Sequence, residues 1–285
     1  MEIRRASAAD VDACARITYA AFKGVAERHG FPPAYSSLEV ARRVATLFAG
    51  LPAVYGLVAE RDREVVGALF LDEGDPIRGV AIVAVDPTIQ QQGIGRALMQ
   101  AALERAREAR GVRLVQEAFN AGSMGLYASL GFAVKEPLAR LTGRPRTAPD
   151  PDVQIRRLTL QDLEECERLC QRVHGITRTD DLRDALRLFT TFACVREGRI
   201  TAYSYAVHAG ILAWGVAETD GDMRALLAGI GSTVPDPLSL HVPTRQDGFF
   251  RWCLAEGFRI EKPLTLMALG EYYEPRGCYF PSGVY

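Results

Sequence analysis

No Cys-x-x-Cys pair occurs in this 285-residue chain, although it holds six cysteines: Cys14, Cys166, Cys170, Cys194, Cys253 and Cys278. Its four histidines stand at no metal-ligand spacing from them, so a zinc site is not expected and no metal is assigned. Cys166 and Cys170 are four apart, which puts both on one face of a helix as buried thiols. An excess of basic charge is missing too. Lys and Arg total 34 against 35 Asp and Glu, and the arginines are scattered among acids. Phosphate backbones require a basic face, so no nucleic-acid partner is expected. No uninterrupted apolar run approaches the ~20 residues of a membrane helix. The start, Met1-Glu2-Ile3-Arg4-Arg5, lacks the apolar centre of a signal peptide. With reduced thiols, these absences lead to the expectation of a cytoplasmic protein with no membrane partner.

What the chain has is apolar bulk. Hydrophobic residues make up 48%, ample for packed cores. At roughly 100–200 residues per domain the length suggests two domains. The stretch Gly143 to Asp152 holds three prolines and no apolar periodicity, so 143–153 reads as a linker. Beyond it the sequence restarts. Ile3 to Ile17 reads IRRASAADVDACARI and Ile155 to Leu169 reads IRRLTLQDLEECERL; six of fifteen positions agree (Ile, Arg, Arg, Asp, Cys, Arg). Each copy opens as a short strand, then offers a Ser7 or Thr159 cap before a periodic helix. Two copies of one unit, at 1–142 and 154–285, fit this better than two unrelated domains.

Periodicity supplies the order of elements. The first copy reads as a strand at 2–5, helices at 8–27 and 37–49, and a hairpin of Val54–Glu60 with Glu64–Leu71. A nearly all-apolar strand, Gly79–Val85, follows, as expected of a strand buried on both faces. A helix at 93–109, a strand at Val112–Phe119, a helix at Ala121–Leu130 and a strand at Phe132–Leu141 complete it. In the second copy, Cys194–Arg196 and Arg199–Ala206 read as a hairpin, Ile211–Ala217 as a strand and 221–230 as a helix. Leu238–Val242, a helix at 247–256 and Phe258–Leu269 complete that copy. Alternating strands and helices imply an α/β (α+β) fold.

The chemistry concentrates after the buried strand, which ends at Asp86-Pro87. Gln90, Gln91 and Gln92 lead into a helix that opens with Gly93, Ile94, Gly95, Arg96 and Ala97. Glycines admit a ligand close to the backbone. A helix N-terminus adds unpaired N–H groups and a positive dipole end, which suits a diphosphate. A Walker loop would need Gly-Lys-Ser/Thr, and Gly95-Arg96-Ala97 supplies no hydroxyl for magnesium. A dinucleotide fingerprint would need a third glycine where Leu98 or Met99 stands. Gln90-x-x-Gly93-x-Gly95, directly after a strand ending in Val-x-Pro, instead resembles the Gln/Arg-x-x-Gly-x-Gly/Ala signature of the GCN5-related N-acetyltransferases (GNATs). A second segment agrees. The strand at Val112–Phe119 runs into Asn120, then a helix with Ser123 and Tyr127 on one face, then Gly131-Phe132.

The resemblance covers about residues 1–142. It implies tandem GNAT-like domains, each a mixed, mostly antiparallel central sheet flanked by helices, with acetyl-CoA as co-substrate. The glycine loop would hold the CoA pyrophosphate. Asn120 and Ser123 would meet the pantetheine arm, and backbone N–H groups around Val83, Ala84 and Val85 would hold the developing oxyanion. Tyr127 would give a proton to the leaving thiolate. The base is less defined. Gly79–Val85 carries no acid; Glu117 on the next strand is the first candidate, with Asp72 and Glu73 behind it, and a water chain could replace all three. The second copy lacks the equipment. Ala217 to Arg224 holds one glycine and three acids that would repel a pyrophosphate, and Cys253 stands where the first copy has Tyr127. The aromatic tail, Glu271–Tyr285, reads as packing over the seam or as an acceptor contact. The expected activity is acetyl transfer to an amine of a small molecule or peptide, by a monomer or homodimer. The other reading is a non-catalytic module that binds and senses acyl-CoA.

Overall fold

A computed structural model describes residues 1–284; Tyr285, the last residue of the expected tail, lies outside them. In the first half the chain forms β1 (Glu2–Arg5), α1 (Val11–Arg28), α2 (Leu38–Gly50), β2 (Val54–Arg61), β3 (Glu64–Asp72) and β4 (Ile77–Val85). Then come α3 (Ile94–Arg105), β5 (Gly111–Glu117), α4 (Ala121–Ser129) and β6 (Ala133–Gly143). The second half forms β7 (Gln154–Arg157), α5 (Leu163–His174), α6 (Thr179–Leu188), β8 (Thr191–Arg196), β9 (Arg199–Tyr205) and β10 (Trp214–Ala217). It ends with α7 (Asp220–Thr233), β11 (Leu238–Pro243), α8 (Asp247–Ala255), β12 (Arg259–Gly270) and β13 (Cys278–Phe280).

The internal repeat is visible atom by atom. In the first copy Arg4 donates both Nη groups to Asp10 at 2.8 and 2.9 Å, and Asp10 accepts from the Ser7 N–H at 2.7 Å. In the second, Arg156 reaches Asp162 at 2.8 and 2.7 Å, and Asp162 accepts from the Thr159 N–H at 2.7 Å. Each aspartate holds the chain where a strand hands over to a helix, and the buried Cys14 and Cys166 lie on those helices. The far end matches as well. Gly131 (φ +95°) and Gly257 (φ +91°) turn the chain out of α4 and α8, and the Phe132 and Phe258 N–H groups donate back to Tyr127 and Cys253 carbonyls. Left-handed φ there requires glycine.

By compactness the chain divides differently from a cut at 143–153. One unit holds Met1–Ala133 with Met267–Glu271 and Val284; the other holds Val134–Leu266 and Tyr272–Gly283. The first unit has the sheet order β1-β2-β3-β4-β5, with the end of β12 beside β5. Its strands pair antiparallel except β4 with β5, which is parallel. Its core gathers Leu69, Leu71, Ile94, Leu98, Met99 and Leu114, all essentially buried. The second unit pairs β6 with β11 antiparallel from Leu138↔Pro243 to Gly143↔Leu238, and a second sheet runs β13-β10-β9-β8-β7. Its core centres on Leu226, Leu227, Ile230, Leu240 and Phe249. Residues 144–153 are irregular yet anchored: the Glu256 carboxylate accepts from the Arg146 N–H at 2.5 Å and the Thr147 N–H at 2.7 Å. The structure adds α6 and β13 to the expected elements, and α3 stops at Arg105 instead of continuing to 109.

Candidate active site

The site is built by a strand that loses one neighbour. β4 keeps β3 along one edge to Gly67↔Val85. Its parallel pairing with β5 runs from Ile77↔Gly111 to Val80↔Leu114. Past that point β4 continues through Val83, Ala84 and Val85 and β5 through Glu117, with no further ladder between them among the described residues. The two strands therefore open a slot edged by backbone N–H and C=O groups of β4, which must find partners elsewhere.

The slot leads to the glycine loop. Asp86 caps a single turn by accepting from the Thr88 N–H at 2.9 Å and the Thr88 hydroxyl at 2.7 Å. The Gln90 amide donates back to the Val85 carbonyl at 3.1 Å, closing the loop on the strand end. Gln91 adopts φ +66° and Gly93 φ +81°, and α3 begins at once. The two glycines serve different ends. Gly93 needs its left-handed backbone, which disfavours any side chain there. Gly95 has no such constraint: an added Cβ would lie 3.6 Å from Leu126 and 3.7 Å from Val85, ordinary contact distances. A signature that allows only Gly at the first position and Gly or Ala at the second has this steric explanation.

Electrostatically the loop suits an anion. Ile94, Gly95 and Arg96 open α3, so their N–H groups have no acceptor within the helix. Residues 90–97 contain no acid. The Arg96 guanidinium donates to the Ser129 hydroxyl at 2.8 Å, and that of Arg61, from the end of β2, donates to the Gln92 side-chain Oε1 at 2.9 Å. Both bonds go to neutral groups, so neither charge is cancelled.

On the other side of the slot Asn120 caps α4, its side chain accepting from the Ser123 N–H at 3.2 Å. The Ser123 hydroxyl lies 2.9 Å from the Gln116 side-chain Oε1 and 3.0 Å from the Asn120 backbone carbonyl, and the Gln116 Nε2 is buried without a partner. Tyr127 is 7% exposed, and burial pushes its phenol well above the ordinary value. Glu117 is buried near the end of β5. Tyr35 senses it: burial first, and the Glu117 charge second, raise the Tyr35 phenol. Phe119, two residues on, stacks with Phe31 at 4.4 Å. Asp72 and Glu73 are elsewhere. Asp72 pairs with Gly79 while Gly67 pairs with Val85, so they stand at the opposite end of the sheet, and Glu73 is bound to Arg105 at 2.7 Å. Sequence reasoning did not single out Arg61, Gln116 or Tyr35. Arg61 is thirty-one residues from its Gln92 partner, a contact made only by the fold.

The second copy closes the equivalent helix start on itself. The Thr219 hydroxyl caps α7 by accepting from the Asp222 N–H at 3.1 Å, and the buried Asp222 carboxylate accepts from the Thr201 hydroxyl at 2.9 Å. Cys253 is fully buried, and desolvation pushes its thiol up to about 12.

Residues 25–132 match the acetyltransferase (GNAT) family. Over 85 residues the chain is 38% identical to a mycothiol acetyltransferase of Nocardiopsis dassonvillei, a stretch covering 29% of this chain and 26% of that protein. A structure from Pyrococcus horikoshii superposes with a TM-score of 0.71 at 16% identity, covering 100% of this chain and 92% of the other. A tandem GNAT protein from the clavulanic acid biosynthesis pathway gives a TM-score of 0.59 at 16% identity, covering 94% and 98%. Among the described residues no helix is long and apolar enough to cross a membrane.

Proposed function

We propose, from the premise that this chain belongs to the acetyltransferase (GNAT) superfamily as a tandem-like member, that it moves an acetyl group from acetyl-CoA to an amine of a small molecule or peptide. One observation carries the reading: the opening between β4 and β5 runs directly onto an acid-free helix start flanked by two uncancelled arginines. Such a slot accepts an extended polar arm ending in a diphosphate. Gln90 to Ala97 would take the phosphates, and Asn120 and Ser123 would border the arm. The acceptor of the Nocardiopsis relative is not carried over, because the matched stretch is about a quarter of that protein.

Acetyl-CoA supplies the acetyl group as a thioester. In direct transfer a nitrogen–carbon bond forms while the carbon–sulfur bond breaks; the amine gives up a proton and the sulfur gains one. Glu117 is the side chain proposed to take the amine proton. The free edge of Val83–Val85 would donate N–H groups to the oxygen as its charge develops. Burial changes what Tyr127 can do. With its phenol raised further above a thiol's ordinary ~8.5, complete proton transfer to the thiolate runs uphill. Tyr127 then serves as a neutral hydrogen-bond donor that steadies the departing sulfur, and the thiolate takes its proton from water.

The test is calorimetric titration of acetyl-CoA into the wild type and a folded Gly93→Glu, Gly95→Glu variant, followed by an amine panel read by thiol release. One site per chain, lost in the variant, together with amine-dependent thiol release, is expected. No binding to the wild type would end the acetyltransferase reading. Two sites would mean the second copy also binds, and binding without turnover on any amine would favour a sensor.

A further inference from the structure

The sequence places its obvious phosphate contacts on α3, and the fold adds a residue from another element. Arg61 ends β2, at the hairpin whose tip carries Asp62 (φ +54°) and Arg63 (φ +66°). Because β3 runs antiparallel to β4, the hairpin end of β3 lies beside the last residues of β4, with Gly67 opposite Val85. This register delivers Arg61 to the glycine loop, where its Nη1 donates to the Gln92 side-chain Oε1 at 2.9 Å. Gln92 immediately precedes the left-handed Gly93.

The partner that Arg61 meets at this point is neutral. Several guanidiniums of the same unit close on carboxylates, Arg4 on Asp10 and Glu60, Arg42 on Asp12, Arg105 on Glu73 and Arg110 on Glu271. Arg61 forms no ion pair among the described residues, and a neutral amide could have been met equally well by an uncharged donor. A guanidinium presents five N–H groups in a fork, and one of them is engaged here. Arg96 stands on the α4 side of the same loop, held by Ser129. Together the two place uncancelled positive charge on both flanks of a helix N-terminus.

We propose that Arg61 is a second phosphate-binding residue of the cofactor site, with Gln92 as the strut that aims its fork. This rests on the acetyl-CoA reading above. CoA carries phosphate at two places, the pyrophosphate and the ribose 3′ position, and the guanidinium chemistry is the same for both.

The test compares wild type, Arg61→Gln and Arg61→Lys by titration with acetyl-CoA and with its 3′-dephospho analogue, at two salt concentrations, with thermal unfolding measured alongside. Arg61→Gln should weaken acetyl-CoA binding about tenfold with a shallower salt dependence and an unchanged unfolding midpoint, and Arg61→Lys should recover part of the loss. If the dephospho analogue binds both proteins equally, Arg61 reads the 3′-phosphate; if it too is weakened about tenfold by Arg61→Gln, Arg61 reads the pyrophosphate. Equal acetyl-CoA affinity in wild type and Arg61→Gln overturns the assignment. So does a weakening that comes with a lowered unfolding midpoint and no recovery in Arg61→Lys, since that marks a structural strut. If the wild type binds no acetyl-CoA, the underlying reading falls first, and this one with it.

Discussion

Tyr127 shows how one residue can be legible in sequence and still change meaning once it is placed. Its spacing from Ser123 and its position ahead of Gly131-Phe132 are sequence properties. Its burial is not: 7% exposure and the desolvated phenol come from Phe132, at 6.2 Å between ring centres, and from the packing of α4 on the sheet. An acid that transfers its proton fully would contribute about 10²–10⁴ in rate. A neutral donor to a developing thiolate contributes about 1.5–3 kcal/mol, roughly 10–100-fold. Tyr127→Phe is therefore expected to lower kcat by about 10–100-fold while leaving the acetyl-CoA dissociation constant within about twofold. The raised phenol also sets a sign. Tyr127 keeps its proton through pH 10, so a fall in kcat/KM between pH 8 and 10 should persist in Tyr127→Phe. Rates matching the wild type would remove Tyr127 from the reaction, and disappearance of that limb would contradict its burial.

At the scale of elements, the loop between β4 and α3 separates what folding requires from what binding requires. Replacing Gly93 with Ala imposes a φ of +81° on a side chain and should cost about 1 kcal/mol or more of stability. Gly95→Ala should behave in the opposite way. Its methyl meets Leu126 and Val85 at ordinary distances, and alanine is favoured over glycine within a helix by about 1 kcal/mol. That variant should unfold at equal or higher denaturant concentration and retain acetyl-CoA binding. Gly95→Leu should stay folded but lose binding, because its side chain fills the mouth of the slot. A Gly95→Leu protein that binds as the wild type does would show that the ligand passes elsewhere.

Periodicity identified most elements because each buries one consistent face. It passed over α6, although Leu182, Ala185 and Leu186 recur there at helical spacing, and β13, which is only three residues within an aromatic tail. Nor could a strand pattern announce its partner. Nothing in residues 259–270 reveals that their last part joins the first unit while β6 joins the second, since alternation specifies a face and not a neighbour. Arg61 escaped for the same reason. The glycine loop is local in sequence and could be read there, whereas a guanidinium delivered across a hairpin could not.

Across the whole molecule the duplication makes a prediction about acid stability. Each unit starts a helix with the same device, Arg4–Asp10 in one and Arg156–Asp162 in the other. The Arg4 hydrogen bonds hold the Asp10 carboxyl well below the usual carboxylate range, and the Arg156 bonds hold Asp162 at about 2. Their unfolded value is ~3.9. A carboxyl depressed by folding contributes stability that is fully present above its unfolded value and is lost as pH falls toward its folded one. Both contributions are thus complete at pH 5 and decline from about pH 4 to 2. Asp162→Asn keeps the shape of the side chain but removes the charge that Arg156 holds. It should cost about 1–3 kcal/mol at pH 5. Below about pH 2 the wild-type carboxyl is itself protonated, so the two proteins should converge. Asp10→Asn should repeat the pattern with convergence at still lower pH. Urea midpoints for the three proteins at pH 5, 3 and 2 test this directly. Parallel declines, with the variants equally far below wild type at every pH, would show that the aspartates stabilise by shape alone. A gap that closes on acidification would identify the charge in both copies as the conserved physical content of the repeat.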